Sequence, residues 1–523
     1  MRAHIVGGGF GGLAAAAYLI RDAKTSGDQI TIYEANKQLG GGFFLAGDAQ
    51  TGYSLPGSVF DANYRCTFGL LETIPSTSNP RISVKDEFFD FNARNPFQDR
   101  ARIVDGDGQV VPHQPRFGLG LFDALDFLRL AFTPEAKLDG RRIEEFFSQQ
   151  FFETEFWLLW STLMGSLPEH SAIEFRRYVN RTLGLFPDLY DMTGILRTPR
   201  AQRQALIEPL VAWLGSNGVN FLTSALVKHI GFAPAPGSIT VNSIEYEQAG
   251  LAHAVAITST DILLVTSGSQ IAGVSAGTMN TPPPPPSLGG GPLVALWREL
   301  ARQGANFGDP DVFFDPSGPA DSRWVTFTVT TGSTVFLDLM TGLTGAPTGT
   351  GGLVTLRDSG WLLSLTIFHQ PEVTNQPSDT YVWWGYGLHP EREGDYVKKP
   401  MYACTGAEIL QEVVKQLKFD VHLDEILASS KCIPCVMPHV NNIWTPRRRT
   451  DRPQVAPKGA TNLGLIGQYV EVAKDIAFTA EYSARTAWEA VHLLRHGPPP
   501  PPVYQAESDP GALLAALRAL LGL

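Results

Sequence analysis

Cysteine is scarce in this chain: four in 523 residues, at Cys66, Cys404, Cys432 and Cys435. So few exclude a disulfide scaffold and suit a reducing compartment. Basic residues fall short of acidic ones, 41 against 52, for a formal charge of -11. That balance excludes a general affinity for nucleic acid, which needs a positive field. Nowhere do about 18 apolar residues run together, so no spanning helix is expected. The run LAAAAYLI follows a glycine turn, ends in Arg21-Asp22 and lacks a cleavage pattern; it reads as a packed helix, not a signal peptide. GxSxG and HExxH are absent, which removes support for serine-hydrolase and zincin chemistry. Cys432-Ile-Pro-Cys435 is a lone CxxC without two further ligands, so it reads as structural and no metal is expected. These absences predict a soluble, cytoplasmic protein.

What is present starts at residue 4, with HIVGGGFGGLAAAAYLI. A short strand at 3–6, a glycine turn, a helix at 11–22 and a second strand at 29–34 make a βαβ unit that opens a parallel sheet. Gly7, Gly9 and Gly12 give the GxGxxG pattern between strand and helix. The first permits the tight turn, the second lets backbone approach a pyrophosphate, and the third lets helix and strand pack closely. The helix N-terminus offers its free N–H groups and positive dipole end to phosphates. Glu34 closes the second strand, where an acid accepts ribose hydroxyls and would repel a 2′-phosphate; FAD or NAD is favoured over NADP. The turn after it, with Gly41 and Gly42, is of the kind that runs beside a flavin, so FAD is the cofactor expected. Val227, Gln468 and Tyr469 complete the expected cofactor-binding set.

The predicted fold class is α/β: a Rossmann-type FAD-binding lobe built from discontinuous segments, a substrate lobe and a mainly helical cover. The expected division is 1–110 with 205–275 and 455–496 for the FAD lobe, 111–204 for the helical channel lobe, and 292–454 for the substrate lobe. Residues 497–523 form a proline tract and a C-terminal amphipathic helix. Within these bounds, 118–165 is aromatic and helical in pattern, and Ser171 and Glu174 have capping-box spacing at a helix start. Residues 205–227 read as a helix, the Asn217-Gly218 turn and one strand, VNFLTSALV. The helix at 511–523 either docks on the body or lies on a membrane surface. Arg447, Arg448, Arg449 and Arg452 read as a local basic patch, either a solvated turn or a contact for lipid head groups or FAD phosphates.

Several segments together resemble the oleate hydratase family, also called myosin-cross-reactive antigens. They are GGGFGGLAAAAYLIRDA, YEANKQLGG, DEFFDFNARNP, EFRRYVNRTLGLF, ILRTPRAQRQALIEPL, WWGYGL, KKPMYACTGAEIL, IPCVMP, DRPQVAP and GQYVEVAKDIAFTAEYSARTA, spread from residue 4 to about 490. The resemblance implies a hydro-lyase that adds water across the cis double bond of an unsaturated fatty acid, retaining FAD in a non-redox role. The chain begins at its first strand, whereas many relatives carry an N-terminal extension that helps pair subunits, so the expectation is a monomer.

The resemblance places the proton donor at Tyr178; by spacing alone that residue reads as an amphipathic core tyrosine. A phenol is fully protonated at neutral pH and available as a donor. The water-activating glutamate of the family falls on Val59, and the arginine before it on Ser58; neither is a base. Asp61 is the nearest carboxylate, either a base or a loop acid facing solvent or capping a helix. The resemblance puts Gln202 and Thr366 at the fatty-acid carboxylate, while its other two positions fall on Phe368 and Glu372. His369 is a substitute donor or a satisfied loop histidine. Two rival readings stand beside the hydratase: an FAD-dependent oxidoreductase, desaturase or amine oxidase-like, and a lipid-binding flavoprotein without catalysis.

Overall fold

A computed structural model describes residues 1–523 except 58, 99, 235–236, 316–322 and 522–523. The chain opens with strand β1 (Ala3–Val6), helix α1 (Phe10–Arg21) and strand β2 (Ile30–Glu34). Three later strands join them in one parallel sheet: β3 (Asn220–Thr223), β4 (Ile262–Thr266) and β5 (Leu463–Ile466). Its order is β5-β4-β1-β2-β3, all neighbours parallel. The segments AHIV, ILLV and LGLI are buried throughout, which is why these strands read as continuous apolar runs and not as alternation.

The long helix α2 (Ala480–Arg495) packs parallel to α1. A Cβ on Gly11 would stand 3.6 Å from the Ser483 carbonyl oxygen, and further along Tyr18 stacks on Trp488 at 4.8 Å. The small residues of GGLAAAA are therefore a packing face, and they bring the N-terminal ends of both helices side by side.

A second, seven-stranded sheet carries the strands Trp324–Thr331, Leu363–Ile367, Tyr381–Gly387 and Ser430–Met437. In WVTFTVTT the period of two splits the faces. Val325, Phe327 and Val329 enter one apolar core with Leu363, Leu365 and Trp383. Trp324 joins Trp384 and Tyr386 in another on the opposite face. There Thr330 and Thr328 accept the N–H groups of Tyr53 (2.9 Å) and Leu55 (3.2 Å), so the loop from 53 crosses the sheet.

The expected single strand VNFLTSALV is two strands. Ser224 takes a left-handed conformation (φ 53°), so β3 stays in the parallel sheet while Ala225–Phe232 turns off to pair with Val241–Gln248. The C-terminal helix Pro510–Leu521 docks on the body: Ala516 is buried in the main core, while Leu514 is exposed. No helix among the described residues is long and apolar enough to cross a membrane.

The basic patch is a correction. Arg448 and Arg449 are exposed, but Arg447 and Arg452 are fully buried. Glu174 draws them in, paired with Arg447 (2.7 Å) and Arg452 (3.1 Å), while Glu471 pairs with Arg447 (3.0 Å) and Arg177 (2.7 Å). The helix Ala172–Thr182 begins as expected, with Ser171 accepting from the Glu174 N–H, but the Glu174 carboxylate serves the arginines and not a capping box. Burial opposes the Glu174 charge; Arg452, Arg447 and Arg177 outweigh it and hold the carboxyl below its usual range. Glu174→Ala is expected to cost about 3–5 kcal/mol in urea unfolding, because it leaves buried guanidinium groups uncompensated.

Candidate active site between the two sheets

Strand order reverses between β1 and β4, and the loop Gly7–Gly9 opens into the crevice at that switch point. Ligands of open α/β sheets bind there. Gly7 holds φ +102°, and a Cβ on it would lie 2.7 Å from the Thr266 hydroxyl. Gly9 precedes α1 without any side-chain cap, so the first-turn N–H groups face the crevice. The second glycine turn folds onto the first: the Gly40 N–H donates to the Gly8 carbonyl at 2.8 Å. Gly41 (φ +56°) approaches so closely that a Cβ would stand 3.0 Å from the Gly9 Cα; Gly42 follows it.

Glu34 is buried at the end of β2. One carboxylate oxygen accepts the Gly8 N–H, and the other accepts the backbone and side-chain N–H groups of Asn36, all at 2.8 Å. It is thus fixed beside the loop, and each oxygen keeps acceptor capacity. Thr266 Oγ1 and Ser267 Oγ, at the end of β4, are buried and have no partner among the described residues. A cradle free of side chains, orphaned hydroxyls and a fixed acid fit a dinucleotide. Val227 lies on the edge of its sheet, beside an irregularity in the pairing.

Tyr178 is 3% exposed on the helix Ala172–Thr182. Its ring stands 4.5 Å from Trp444, and its hydroxyl oxygen accepts the Phe478 N–H at 2.9 Å. Phe478 is one residue before Thr479, whose hydroxyl caps α2 by accepting the Tyr482 N–H. Tyr178 therefore sits at the same end of the paired helices as the glycine crevice. Burial above all, then Tyr64 and Glu174, push its phenol well above pKa 10, against the Phe478 N–H and Arg452. Gln468 donates to the Thr479 carbonyl at 3.2 Å. The Tyr469 ring points elsewhere, into an aromatic cluster with Trp297, Phe313 and Phe314.

From Tyr178 a string of rings leads away along the inner face of the second sheet. Phe478 lies 6.1 Å from Trp324, Trp324 stacks on Tyr386 at 4.9 Å, and Tyr386 lies 5.1 Å from Trp384. Trp384 pairs in register with Thr366, and Phe368 packs on the same cluster with Phe97, Met192 and Ile195. His369 meets Phe91 edge-on at 5.1 Å. The Ala201 N–H donates to the Glu372 carbonyl at 2.7 Å, which brings the buried Gln202 to the 368–372 segment. Burial pushes the Glu372 carboxyl well up, only partly opposed by Arg197.

The residues proposed for water are placed differently. Val59 is 38% exposed, and Ser58 lies outside the described residues. Asp61 is buried on a two-residue strand, paired with Arg181 at 3.5 Å and accepting from Asn63 at 2.8 Å; it neither faces solvent nor caps a helix. Sequence reasoning missed the Phe478 amide, which no residue type signals, and the Trp324, Trp384, Tyr386 face, whose two-residue alternation was there to be read. Among the described residues no His, Cys, Asp or Glu cluster has metal-ligating geometry, and all four cysteines are free and buried.

Sheet order, glycine crevice and late helix define a Rossmann-type, dinucleotide-binding α/β protein. Among solved structures the chain is similar to wild-type putrescine oxidase bound to putrescine, at TM-score 0.52 and 10% identity over 93% of this chain and 97% of that one. It is likewise similar to an oxidoreductase from Methanosarcina mazei, at TM-score 0.50 and 12% identity over 94% and 100%. At such identities the likeness is one of fold. In sequence the chain is 33% identical to an oleate hydratase of Streptococcus pyogenes serotype M49 (strain NZ131), over 95% of this chain and 85% of that protein. It is 30% identical to a linoleate hydratase of Lactiplantibacillus plantarum, over 99% and 98%. The model of the MCRA family matches residues 1–492. The chain belongs to that family.

Gly41→Val places a β-branched side chain at positive φ and against Gly9. A strain of about 1–3 kcal/mol at that conformation is expected to weaken dinucleotide binding roughly tenfold or more, read from flavin absorbance retained after gel filtration.

Proposed function

We propose that this protein is a fatty acid hydratase: it adds water across the cis double bond of an oleate-like acid and releases a hydroxy fatty acid. The relatives that support this are named as hydratases of oleate and linoleate. The observation that carries it is Tyr178, a buried phenol at the junction of the dinucleotide crevice and a cluster of buried aromatic rings. FAD is the cofactor we assign, held by the Gly7–Gly9 backbone, Glu34, the Gly41–Gly42 turn and the N-terminal ends of α1 and α2. When bound, it supplies a wall and a fixed electrostatic environment to the reacting carbons, with no net redox change.

The proton inventory of hydration is neutral. Tyr178 gives its hydroxyl proton to one alkene carbon, water oxygen bonds to the other, and the proton that water sheds restores the phenol. Burial makes the phenol a weak acid, so the transient phenolate needs a local partner. The Phe478 N–H, already on that oxygen at 2.9 Å, is a preorganised donor of the oxyanion-hole kind. The apolar walls hold the alkene at the phenol and exclude bulk water, and this positioning is a large part of the rate. With valine at 59, the water is oriented by groups other than a carboxylate at that position. Asp61 is a poor choice, since Arg181 already holds its charge. At the acid's far end we assign Gln202, Thr366 and His369 as polar neighbours of the head group.

An oxidase-like reading of the same fold predicts flavin turnover, whereas hydration needs none. Anaerobic incubation with oleate in H₂¹⁸O is expected to give a hydroxy acid carrying one heavy oxygen, read by mass spectrometry. No product, with flavin bleached instead, would overturn the proposal. Tyr178→Phe is expected to lower kcat by about 10²–10⁴-fold while the bound flavin spectrum is unchanged. Because the phenol keeps its proton well above pH 10, kcat in the wild type should show no alkaline fall from this group up to about pH 10.

A further inference from the structure

Arg197 is a buried guanidinium with no acid on it among the described residues. It follows the short strand Ile195–Leu196 and is 8% exposed. Asn92 clamps its backbone from both sides, its Oδ1 accepting the Arg197 N–H (3.0 Å) and its Nδ2 donating to the Arg197 carbonyl (2.8 Å). The guanidinium lies over the Phe97 ring at 4.3 Å and 5.8 Å from the centre of Phe91. Among the described residues it donates once, from Nη2 to the Asn95 carbonyl at 3.1 Å, and Nε is buried without a partner. Among the described residues, five other arginines at least nine-tenths buried, Arg177, Arg181, Arg447, Arg452 and Arg485, each have a carboxylate within 4.0 Å. Among the described residues Arg197 has no carboxylate at ion-pair distance.

A cation so enclosed is costly unless it is paired, and burial lowers its pKa to about 10. The acid that acts on it is Glu372, itself buried and outside ion-pair distance. His369, which shares the Phe91 ring with Arg197, has Nδ1 buried without a partner. So two nitrogens that make no hydrogen bond, on two different segments, border the same ring. Phe97 belongs to the apolar cluster of Trp324, Trp384 and Tyr386, the cluster that reaches Phe478 and the phenol of Tyr178. A ligand lying along those rings has its apolar body covered and one end beside a guanidinium lacking an anion.

We infer that Arg197 is the ion-pair partner of the fatty-acid carboxylate and sets the protein's preference for a free acid head group. The inference rests on the fatty-acid reading of the site. Glu372 fits the role of neighbour: burial pushes its carboxyl well up, which favours the neutral form that repels an incoming carboxylate least and can donate a hydrogen bond to it.

The test compares oleate with methyl oleate in the FAD-loaded wild type, Arg197→Met and Arg197→Lys, each by KM and kcat. Arg197→Met is expected to raise KM for oleate by about thirtyfold or more, with kcat within about threefold and KM for methyl oleate unchanged. Arg197→Lys, which keeps the charge but not the planar fork, is expected to fall between. The Met variant should melt at or above the wild-type temperature, since an unpaired buried charge has been removed. Equal KM changes for acid and ester, or no change for either, would overturn the inference. A wild type that hydrates no acid sinks the hydratase reading instead, so the two failures are told apart. If the Met variant fails to fold, the acid-to-ester KM ratio of the Lys variant decides in its place: a ratio equal to that of the wild type overturns the inference.

Discussion

Glu174 is a carboxylate with no route to water, and three pieces of chain converge on it or on its partners. It lies one turn before Tyr178 on the same helix, and Arg447, Arg452, Arg177 and Glu471 close round it. Such a cluster is weak ground for stability, because desolvation takes back much of the Coulomb gain. Its value here is position. Glu471 belongs to the GQYVEV segment, and Arg447 and Arg452 to the loop that carries Trp444, the ring against Tyr178. A hydrophobic contact tolerates sliding; ion pairs at 2.7–3.1 Å do not. The phenol and the Phe478 amide are fixed against each other because the charges behind them admit one arrangement.

The same logic separates what the sequence made legible from what it did not. The βαβ opening was readable because each residue type answers a local demand: buried strands are apolar on both faces, and close backbone contact requires glycine at 9 and 12. The assignment of 455–496 to the same lobe fits a late strand in that sheet and a helix whose small residues pack on α1. Arg447 and Arg452 were misread because a run of arginines in sequence looks like a charged surface. Whether it is one depends chiefly on Glu174, 273 residues away in the chain, and no local rule sees that. Ser224 deceived in a smaller way: a serine at positive φ has no sequence signature, so one strand was read where there are two.

The site itself divides along that line. Tyr178 came from resemblance, and spacing alone would have left it a core tyrosine, which by burial it also is. The burial is observed, and the donor role is the one we propose. The enclosure that makes it a core residue also raises its phenol pKa, and in the mechanism we propose the Phe478 N–H stabilises the oxygen once its proton has left. The Phe478 contribution is invisible in sequence because a backbone amide is present at nearly every position; only the fold decides where it points.

Replacement of a glutamate by Val59 removes a base without removing the need to place water. Attack on a protonated alkene asks little basicity of the water, because positive charge developing on carbon acidifies it as the bond forms. Protonation of carbon is the harder half, and the groups we assign to it are present: a buried phenol, an amide on its oxygen and packed rings around them. An enzyme arranged in this way is limited by how accurately the double bond is held at Tyr178. Accuracy over a long flexible chain comes from anchoring both ends of its path. The ion-pair cluster behind the phenol fixes one end. At the other, the order imposed on residues 197–202 and 368–372 by the Ala201–Glu372 backbone bond matters as much as any group that touches the reacting carbons.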